Sequence, residues 1–290
     1  MIQPPPSPSP LRRLGGFLFW AVLPLLAGIL LAVALIPKPQ IGIIRFEDSI
    51  WYYSNEYLNE LLDRASTDDR IRAVVLQLDS PGGAVIYTEE LFFHLLELRK
   101  VKPLVVSIDS MAASGGYYMA VAGDVVFAKP ASIVGNVGVI SSLPSTDDQR
   151  FTDESYVSTG PSKFSGGSRG DYMRRIELLK LGFLESVFSQ RGDKLSIDRQ
   201  TLANGEIFLG LQAKQLGLID ELGATSEAVQ KAAEIARLAR YDVVDVIDLV
   251  YGSQESEQEV VPLEIDAARE KAMSQQGLYY LYIEPEQRRQ

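Results

Sequence analysis

Short apolar runs alternate with segments of helical periodicity through most of the chain. The run Val74-Val75-Leu76-Gln77-Leu78 is rich in β-branched residues and ends near a Pro-Gly-Gly turn, which is typical of a buried parallel strand. Before it, Leu58, Leu61, Leu62 and Ala65 recur at the three-and-four spacing of an amphipathic helix. This alternation predicts a layered α/β fold.

The same patterns predict further elements in both directions along the chain. Strands are expected over residues 41–44, 72–79, 104–108, 125–128, 156–158 and 243–247, with a glycine-punctuated strand and turn over 133–140. Helices are expected over residues 54–65, 86–99, 117–122, 171–190 and 227–239. Residues 141–152 are predicted as a loop, and residues 204–223 as a turn, a short helix and a turn.

The amino-terminal segment has the composition of a membrane anchor behind a proline-rich arm. Residues 15–36 carry no charge, and 22 residues at a rise of 1.5 Å span about 33 Å, enough for a hydrocarbon core of about 30 Å. Arg12 and Arg13 precede this run and favour a cytoplasmic amino terminus. We therefore predict a disordered cytoplasmic arm over 1–14, a transmembrane anchor over 15–37 and an extracytoplasmic domain over 38–250.

A cleaved signal peptide is the alternative for the same segment, because Ala32-Val33-Ala34 matches a small-residue cleavage pattern. The apolar run is longer than an ordinary signal core, which favours the retained anchor. Both interpretations export the domain across a membrane.

Composition excludes several classes of function. The formal net charge of −10 and the lack of a lysine and arginine cluster argue against a nucleic-acid partner. Without cysteine, the chain has no disulfide, no thiolate metal site and no cysteine nucleophile. The tail over 251–290 is acidic and has no assigned element. No phosphate-binding loop or histidine cluster calls for a nucleotide or a metal.

A serine flanked by small residues lies in the stretch Met111-Ala112-Ala113-Ser114-Gly115-Gly116-Tyr117-Tyr118. It follows the apolar run 103–108 and precedes a predicted helix, so Ser114 is expected at a strand-to-helix elbow that displays a nucleophile. The alternative is structural, with small residues packing the helix against the sheet and Ser114 as its N-cap. The stretch alone does not decide between them.

A serine nucleophile needs a base. The single histidine, His94, lies among leucines on the helix predicted over 86–99, which disfavours a Ser-His-Asp triad. Lysine also serves serine nucleophiles, but its pKa of about 10.4 must fall by about 3 for it to be neutral near pH 7.5. Lys163 stands out because its loop, 160–167, is rich in glycine. A solvated surface lysine remains the alternative.

Two glycine-containing stretches follow predicted strands and offer backbone N–H groups for an oxyanion hole. They are Ser80-Pro81-Gly82-Gly83 and Ser114-Gly115-Gly116. Ligands of open α/β sheets collect at the carboxyl ends of strands, where two convergent N–H donors stabilise a developing alkoxide. Two ordinary glycine turns are the alternative.

Five blocks of sequence follow one another between Ile41 and Ala239. They are Asp79-Ser80-Pro81-Gly82-Gly83, residues 111–118, Gly135-Asn136-Val137-Gly138-Val139-Ile140, Gly160-Pro161-Ser162-Lys163 and residues 205–220. In this order they resemble the signal peptide peptidase A family of serine peptidases. The resemblance implies a Clp/crotonase-like fold of repeated ββα and βαβ units, with Ser114 as nucleophile and Lys163 as general base. It also implies an oxyanion hole formed by the N–H groups of Gly83, or Gly82, and Gly115.

The chain departs from the family at one supporting residue. Asn136 stands where the family usually has a serine that helps to hold the lysine, and its amide oxygen is still able to accept a hydrogen bond from a lysine. The chain also carries one copy of the domain, as the short members do. Resemblance to those members implies a homo-oligomeric ring or dome.

The expected function is that of a membrane-anchored serine endopeptidase without a cofactor or metal. Its substrates would be hydrophobic peptides, remnant signal peptides among them, cleaved through an acyl-enzyme. The first alternative is a catalytically inactive peptide-binding or scaffold protein of the same fold, for which Asn136 is the hint. An acyl-CoA hydratase or isomerase is disfavoured, because it would require placed carboxylates and an intracellular substrate.

Overall fold

The computed structural model describes residues 18–35, 37–142, 159–160, 162–163, 166–252 and 278–281. It divides the chain into two units, Met1–Pro39 and Gln40–Gln290. In the first unit, a π-helical segment, Leu18–Val22, leads into helix α1, Leu23–Leu35. Within the described residues, no helix has the length and hydropathy needed to cross a membrane. The arm over 1–14 lies outside these residues, and the anchor over 15–37 stays a prediction.

The second unit alternates strands and helices along the chain. Its strands are β1 (Gln40–Phe46), β2 (Ile71–Ser80), β3 (Gly82–Ala84), β4 (Leu104–Ala113), β5 (Val125–Ala128), β6 (Ile133–Gly135), β7 (Ile140–Ser141), β8 (Ile207–Leu209), β9 (Glu221–Leu222), β10 (Asp242–Asp245) and β11 (Leu278–Leu281). Its α-helices are α2 (Tyr52–Thr67), α3 (Val85–Val101), α4 (Gly115–Ala120), α5 (Arg169–Arg191), α6 (Arg199–Leu202), α7 (Gly210–Gln215), α8 (Thr225–Ile235) and α9 (Val246–Tyr251).

One sheet forms the centre of this unit in the described part of the chain. Its main path runs β10-β1-β2-β4-β5-β9, and every neighbouring pair on that path is parallel. Strand β6 pairs in parallel with the second half of β4, and β8 pairs antiparallel with β6. The predicted α/β class is confirmed.

Helices cover both faces of the sheet, which explains the continuous apolar runs in its inner strands. Ile41 and Ile43 of β1 pack on one face with the alanines of α8, whereas Ile44 packs on the other face with Leu58 of α2. Side chains of successive strand residues point to opposite faces, so one strand contributes to both cores.

Most predicted elements are confirmed, and the differences have tertiary causes. Strand β4 continues to Ala113 because Met111, Ala112 and Ala113 pair with β6. The strand expected over 243–247 ends at Asp245, whose side chain accepts a hydrogen bond from the Ile247 N–H (3.3 Å) and caps α9. The strand predicted over 156–158 lies outside the described residues.

The structure also contains a second sheet, of three strands, which the sequence patterns do not predict. Strand β11 pairs antiparallel with β3 on one side and with β7 on the other. Two of these strands are only two or three residues long, and β11 is more than 130 residues from β7 in sequence. Such pairing leaves no periodic signal in the sequence.

Helix α5 differs between its two halves. Phe183, Leu184 and Val187 near its carboxyl end are buried, and the Phe183 ring stacks on Tyr118 of α4 at 4.6 Å between centroids. The amino-terminal half is exposed or half-buried. Fourteen residues of helix, 169–182, have a length of about 21 Å at 1.5 Å per residue. Only Leu179 of this half is among the partly buried apolar residues that pack against the core, and the exposed half is called the α5 arm below.

A buried ion pair fixes the carboxyl end of α5. Arg191 is 2% exposed, and its guanidinium donates to both carboxylate oxygens of Asp220 at 3.0 and 3.1 Å and to the Gly217 carbonyl at 2.8 Å. Burial acts to raise the pKa of Asp220. The hydrogen bonds and charge of Arg191, together with hydrogen bonds from Lys194 and the Val126 N–H, act in the opposite direction and hold that pKa below its ordinary value. The carboxylate is therefore ionised beside the arginine.

Candidate active site

Ser114 lies at the junction between β4 and α4, where the sequence predicts an elbow. Its backbone has φ 54° and ψ −120°, on the left-handed side that residues other than glycine rarely adopt. Its hydroxyl makes no capping hydrogen bond to α4, so a role as a side-chain N-cap is not supported. Such a backbone costs about 1–3 kcal/mol and is found where surrounding structure enforces it, often at functional sites.

Backbone contacts and a buried ring hold the elbow in this conformation. The Ser114 N–H donates to the Gly135 carbonyl at 2.9 Å, and the Tyr118 N–H donates to the Ser114 carbonyl at 3.0 Å. The fully buried Tyr117 donates its hydroxyl to the Leu218 carbonyl at 2.9 Å. Burial raises the pKa of Tyr117, which keeps this donor protonated.

Glycine after Ser114 lets the elbow approach the turn between β2 and β3. A Cβ atom on Gly115 would lie 2.7 Å from Thr88 Oγ1 and 3.2 Å from Gly82 Cα, and one on Gly116 would lie 2.5 Å from the Ser80 carbonyl. The structure thus brings together the two glycine stretches that the sequence nominated for an oxyanion hole.

Gly83 is the better placed of the two alternative donors in β3. The Gly82 N–H is already engaged by Ser80 Oγ at 3.2 Å. The Ile50 N–H donates to Gly82 O and the Ala84 N–H donates to Ile50 O, both at 2.8 Å, so Gly83 presents its N–H on the opposite side of the strand. The Gly115 N–H opens α4 and has no acceptor within that helix.

Asn136 directly follows Gly135, whose carbonyl accepts the Ser114 N–H. It has φ 56°, a conformation that asparagine tolerates better than most residues. Its amide nitrogen donates to the Gly205 carbonyl at 2.8 Å, and its backbone N–H donates to the Glu206 carbonyl at 2.8 Å. That arrangement leaves its amide oxygen for another donor.

Lys163 is not brought to Ser114 within the described part of this chain. It is exposed in a turn, where its N–H donates to the Gly160 carbonyl at 3.1 Å, and no hydrogen bond joins its ammonium to Ser114. Gly166, just before α5, accepts a hydrogen bond from the Arg175 guanidinium at 2.7 Å.

The comparisons with known proteins agree with the blocks of sequence. Residues 97–150 and 155–239, which include Ser114, Asn136 and Lys163, match the family model described as Peptidase family S49. The chain belongs to peptidase family S49. This confirms the predicted serine peptidase class at the level of the family.

Relatives named as proteases share part of their length with this chain. Protease 4 of Haemophilus influenzae is 33% identical over 187 residues, which cover 60% of this chain and 30% of that protein. Putative protease MJ0651 of Methanocaldococcus jannaschii is 31% identical over 212 residues, which cover 69% of this chain and 66% of that protein. A solved mutant of the 1510-N membrane-bound stomatin-specific protease, in complex with a substrate peptide, is 15% identical with a TM-score of 0.48, covering 68% of this chain and 81% of that chain.

One strand beside the candidate site was missed by sequence reasoning. Strand β11 runs along β3, the strand that carries Gly83. The run Leu278-Tyr279-Tyr280-Leu281 is a strand signal, because aromatic residues are enriched in strands. Because this run is far in sequence from the other predicted strands, the sequence does not indicate which strands it pairs with.

Proposed function

We propose that the chain is a membrane-anchored serine endopeptidase of Clp/crotonase-like fold that hydrolyses hydrophobic peptides, remnant signal peptides among them. The observation that carries the proposal is the strained, buried serine at the end of β4. Ser114 is 1% exposed and has positive φ, with a glycine N–H directly after it. The apolar run over 15–36 supports the anchor and an extracytoplasmic catalytic domain.

The chemistry is an acyl transfer in two steps. The Ser114 hydroxyl oxygen bonds to the scissile carbonyl carbon while neutral Lys163 takes the hydroxyl proton, and the N–H groups of Gly83 and Gly115 hold the oxyanion. Lys163 then protonates the leaving amine as the peptide C–N bond breaks. Water hydrolyses the ester and regenerates the serine.

The dyad is proposed to form between copies in a homo-oligomer. In one chain, Lys163 is exposed beside the start of the α5 arm and makes no hydrogen bond to Ser114 in the part that the structure describes. The arm exposes Met173, Leu178 and Leu181, and apolar side chains in such a position favour cover by a second protein surface. A neighbouring copy that covers the arm also shields Lys163 from water.

Mixed assemblies of two inactive variants test this arrangement. Co-expressed Ser114→Ala and Lys163→Ala chains with different tags are expected to recover activity, because about a quarter of the sites receive both native groups in random mixing of a symmetric oligomer. Peptide hydrolysis by doubly tagged assemblies is the measurement. The control pairs Ser114→Ala with the Ser114→Ala, Lys163→Ala double variant. Stable mixed assemblies without recovery would refute a dyad between copies.

Acylation by a serine-directed probe, such as a fluorophosphonate, tests the nucleophile. The full chain in detergent is expected to take one label, and proteolytic mapping is expected to place it on Ser114. A second sample carrying Lys163→Ala is expected to label far more slowly, because the hydroxyl then lacks its base. Label on another serine would overturn the assignment.

An inactive peptide-binding protein is the second candidate, and the exposure of Lys163 is what favours it. In that case no probe would react at Ser114, yet an apolar peptide would still bind beside β3. Absence of labelling together with saturable binding of a fluorescent apolar peptide would select this function over the peptidase.

A further inference from the structure

One border of the main sheet gathers the amino ends of its parallel strands. Strands β10, β1, β2, β4 and β5 lie side by side and run in the same direction. Gln40 pairs with Asp242 and Ile71, and its N–H donates to the Arg70 carbonyl at 2.8 Å. This border is called the amino end of the sheet below, and it consists of residues 237–242, 38–40, 68–72, 102–103 and 123–124.

Cations outnumber carboxylates at the amino end of the sheet. The cations are Lys38, Arg70, Arg72, Lys102, Arg237 and Arg240. The carboxylates are Asp68, Asp69, Asp124 and Asp242. The whole chain has a formal net charge of −10, so the balance at this border is opposite in sign to that of the protein.

The carboxyl ends of the same strands have the reverse balance. The carboxylates there are Glu47, Asp48, Asp79, Asp109 and Asp245. The cations there are Arg45 and Lys129, and each forms an ion pair with one of these carboxylates. The sheet therefore has an excess of positive charge at one end and of negative charge at the other.

Several cations of the amino end have no carboxylate partner. Arg72, Arg237 and Arg240 are exposed, and none of them forms an ion pair within the described part of the chain. The Lys102 ammonium donates to two main-chain carbonyls, both at 2.7 Å. Phosphate oxygens match the donor geometry of exposed guanidinium groups, which bind them through paired hydrogen bonds.

Arg237 occupies a position that usually belongs to glycine. It follows the carboxyl end of α8 with φ 55°, the left-handed conformation that glycine commonly supplies after a helix. A residue with a Cβ atom is strained in this conformation. No contact of its guanidinium within the described residues compensates for that strain. The described fold therefore does not account for an arginine at this position.

Apolar surface lies among these cations. Val101 is the last residue of α3, between Lys100 and Lys102, and is 66% exposed. Tyr241 directly follows Arg240 and is half-buried. Exposed apolar and tyrosine side chains among basic ones are typical of protein surfaces that meet the headgroup region of a bilayer.

The amino end of the sheet is also where the chain enters the domain. Only Lys38 and Pro39 separate the predicted anchor, which ends at residue 37, from Gln40. Three steps between Cα atoms span at most about 11 Å. A predicted anchor in the bilayer would therefore hold this positive border close to the lipid headgroups.

We propose that the amino end of the sheet docks on the anionic headgroups of the bilayer leaflet at which the anchor ends. The inference rests on the proposed membrane anchor and adds an orientation to it. Arg72, Arg237 and Arg240 bind headgroup phosphates, and Val101 contacts the apolar part of the interface. The carboxyl ends of the strands, with Ser114 directly after β4, face away from the bilayer.

A single labelled cysteine tests this orientation, because the chain has no cysteine of its own. The full chain is reconstituted in phosphatidylcholine vesicles with or without about 30% phosphatidylglycerol. Ala239→Cys carries a dye at the amino end of the sheet, and Ser110→Cys carries it near the other end. Both positions are exposed. Quenching by lipids with a nitroxide headgroup measures contact with the bilayer surface.

In anionic vesicles, the dye at position 239 is expected to be quenched about threefold or more over the dye at position 110. This difference is expected to shrink in phosphatidylcholine alone and in about 1 M salt, because screening weakens attraction between exposed charges. Equal quenching at both positions in anionic vesicles would overturn the proposal.

A matched pair of charge variants tests which cations bind the headgroups. Arg72→Gln combined with Arg240→Gln removes two exposed cations from the amino end of the sheet. Arg169→Gln combined with Arg174→Gln removes two exposed cations from the α5 arm. The first pair is expected to lower the equilibrium constant for surface contact by about tenfold or more, and the second to change it by less than about twofold. Equal losses in both would refute the assignment, since net charge alone would explain them.

Flotation of the same vesicles separates this proposal from the anchor on which it rests. A chain that floats with them in about 1 M salt is held by its apolar segment, because the Debye length is then about 3 Å. If it floats there but both dyes are quenched equally, the orientation is refuted and the anchor stands. If it floats only in low salt, and Arg72→Gln with Arg240→Gln abolishes this, the anchor is refuted and the docking surface stands. A chain that never floats refutes both.

Discussion

Ser114→Ala is expected to lower the rate of peptide hydrolysis by about 10⁴-fold or more, because no other group replaces the attacking oxygen. The measurement is turnover of a fluorogenic apolar peptide by the full chain in detergent. The proposed oxyanion donors, Gly83 and Gly115, remain in the variant, so peptide binding is expected to change little. A large fall in kcat with a nearly unchanged KM is therefore the expected pattern.

Ser110→Ala is the matched control for this change. Ser110 lies on the same strand, β4, and its side chain is exposed. Substitutions at exposed positions usually change the free energy of unfolding little. The Ser110→Ala variant is therefore expected to keep activity within about twofold of the unmodified chain. Near-normal turnover by Ser114→Ala would refute the nucleophile assignment. The Tm of Ser114→Ala is measured as well. The nucleophile assignment does not predict a lowered Tm, which would instead indicate that this variant fails to fold.

The strained backbone of Ser114 allows a second test, which measures stability and does not depend on activity. Glycine adopts φ 54° without a Cβ penalty, so Ser114→Gly is expected to be inactive yet more stable than Ser114→Ala by about 1 kcal/mol. Chemical denaturation of both variants measures the difference in free energy of unfolding. A Ser114→Gly chain less stable than Ser114→Ala would show that the conformation carries no strain.

Arg191→Met is expected to lower the free energy of unfolding by about 3–5 kcal/mol, because it leaves the buried Asp220 carboxylate without its main partner. Lys194 still reaches that carboxylate at 2.7 Å, but from an exposed position. Thermal and denaturant unfolding measure the loss. Arg174→Met on the same helix is the control, because Arg174 is 71% exposed in its ion pair with Asp171 and such pairs contribute about 0–1 kcal/mol.

The effect of Arg191→Met depends on pH in a direction set by Asp220. The pKa of Asp220 is lowered in the folded chain, so its ion pair stabilises fully above the unfolded pKa of about 3.9. That stabilisation is lost as the pH falls through the folded pKa. The stability difference between the native chain and Arg191→Met is therefore expected to be largest near neutral pH and to shrink in acid. A difference that grows in acid would contradict this assignment.

Local sequence patterns predicted the main frame of the domain. The β-branched run at 74–78 and the glycines after Ser114 each describe an environment that is set within a few residues, a buried strand in one case and a tight elbow in the other. These patterns, with the order of the five blocks, were sufficient to predict the α/β class, the family and the candidate nucleophile.

Tertiary structure decided the features that depend on distant partners. Gly83 rather than Gly82 is the stronger candidate for the oxyanion donor only because Ser80 and Ile50 engage the neighbouring backbone groups. The motif around Lys163 predicts it as a candidate base. The neighbouring residues do not predict that its side chain is exposed or that it lies near the start of α5.

The sequence by itself therefore determined which residues are candidates for the chemistry and which runs form the core, since periodicity and turn composition are local properties. The three-dimensional arrangement determined how those residues meet. Strands as short as β3 and β7 have no periodicity of their own, and their pairing with β11 depends on the folded sheet that presents their edges. The positive φ of Ser114 likewise arises because contacts from β6 and α4 outweigh the preference of a single residue.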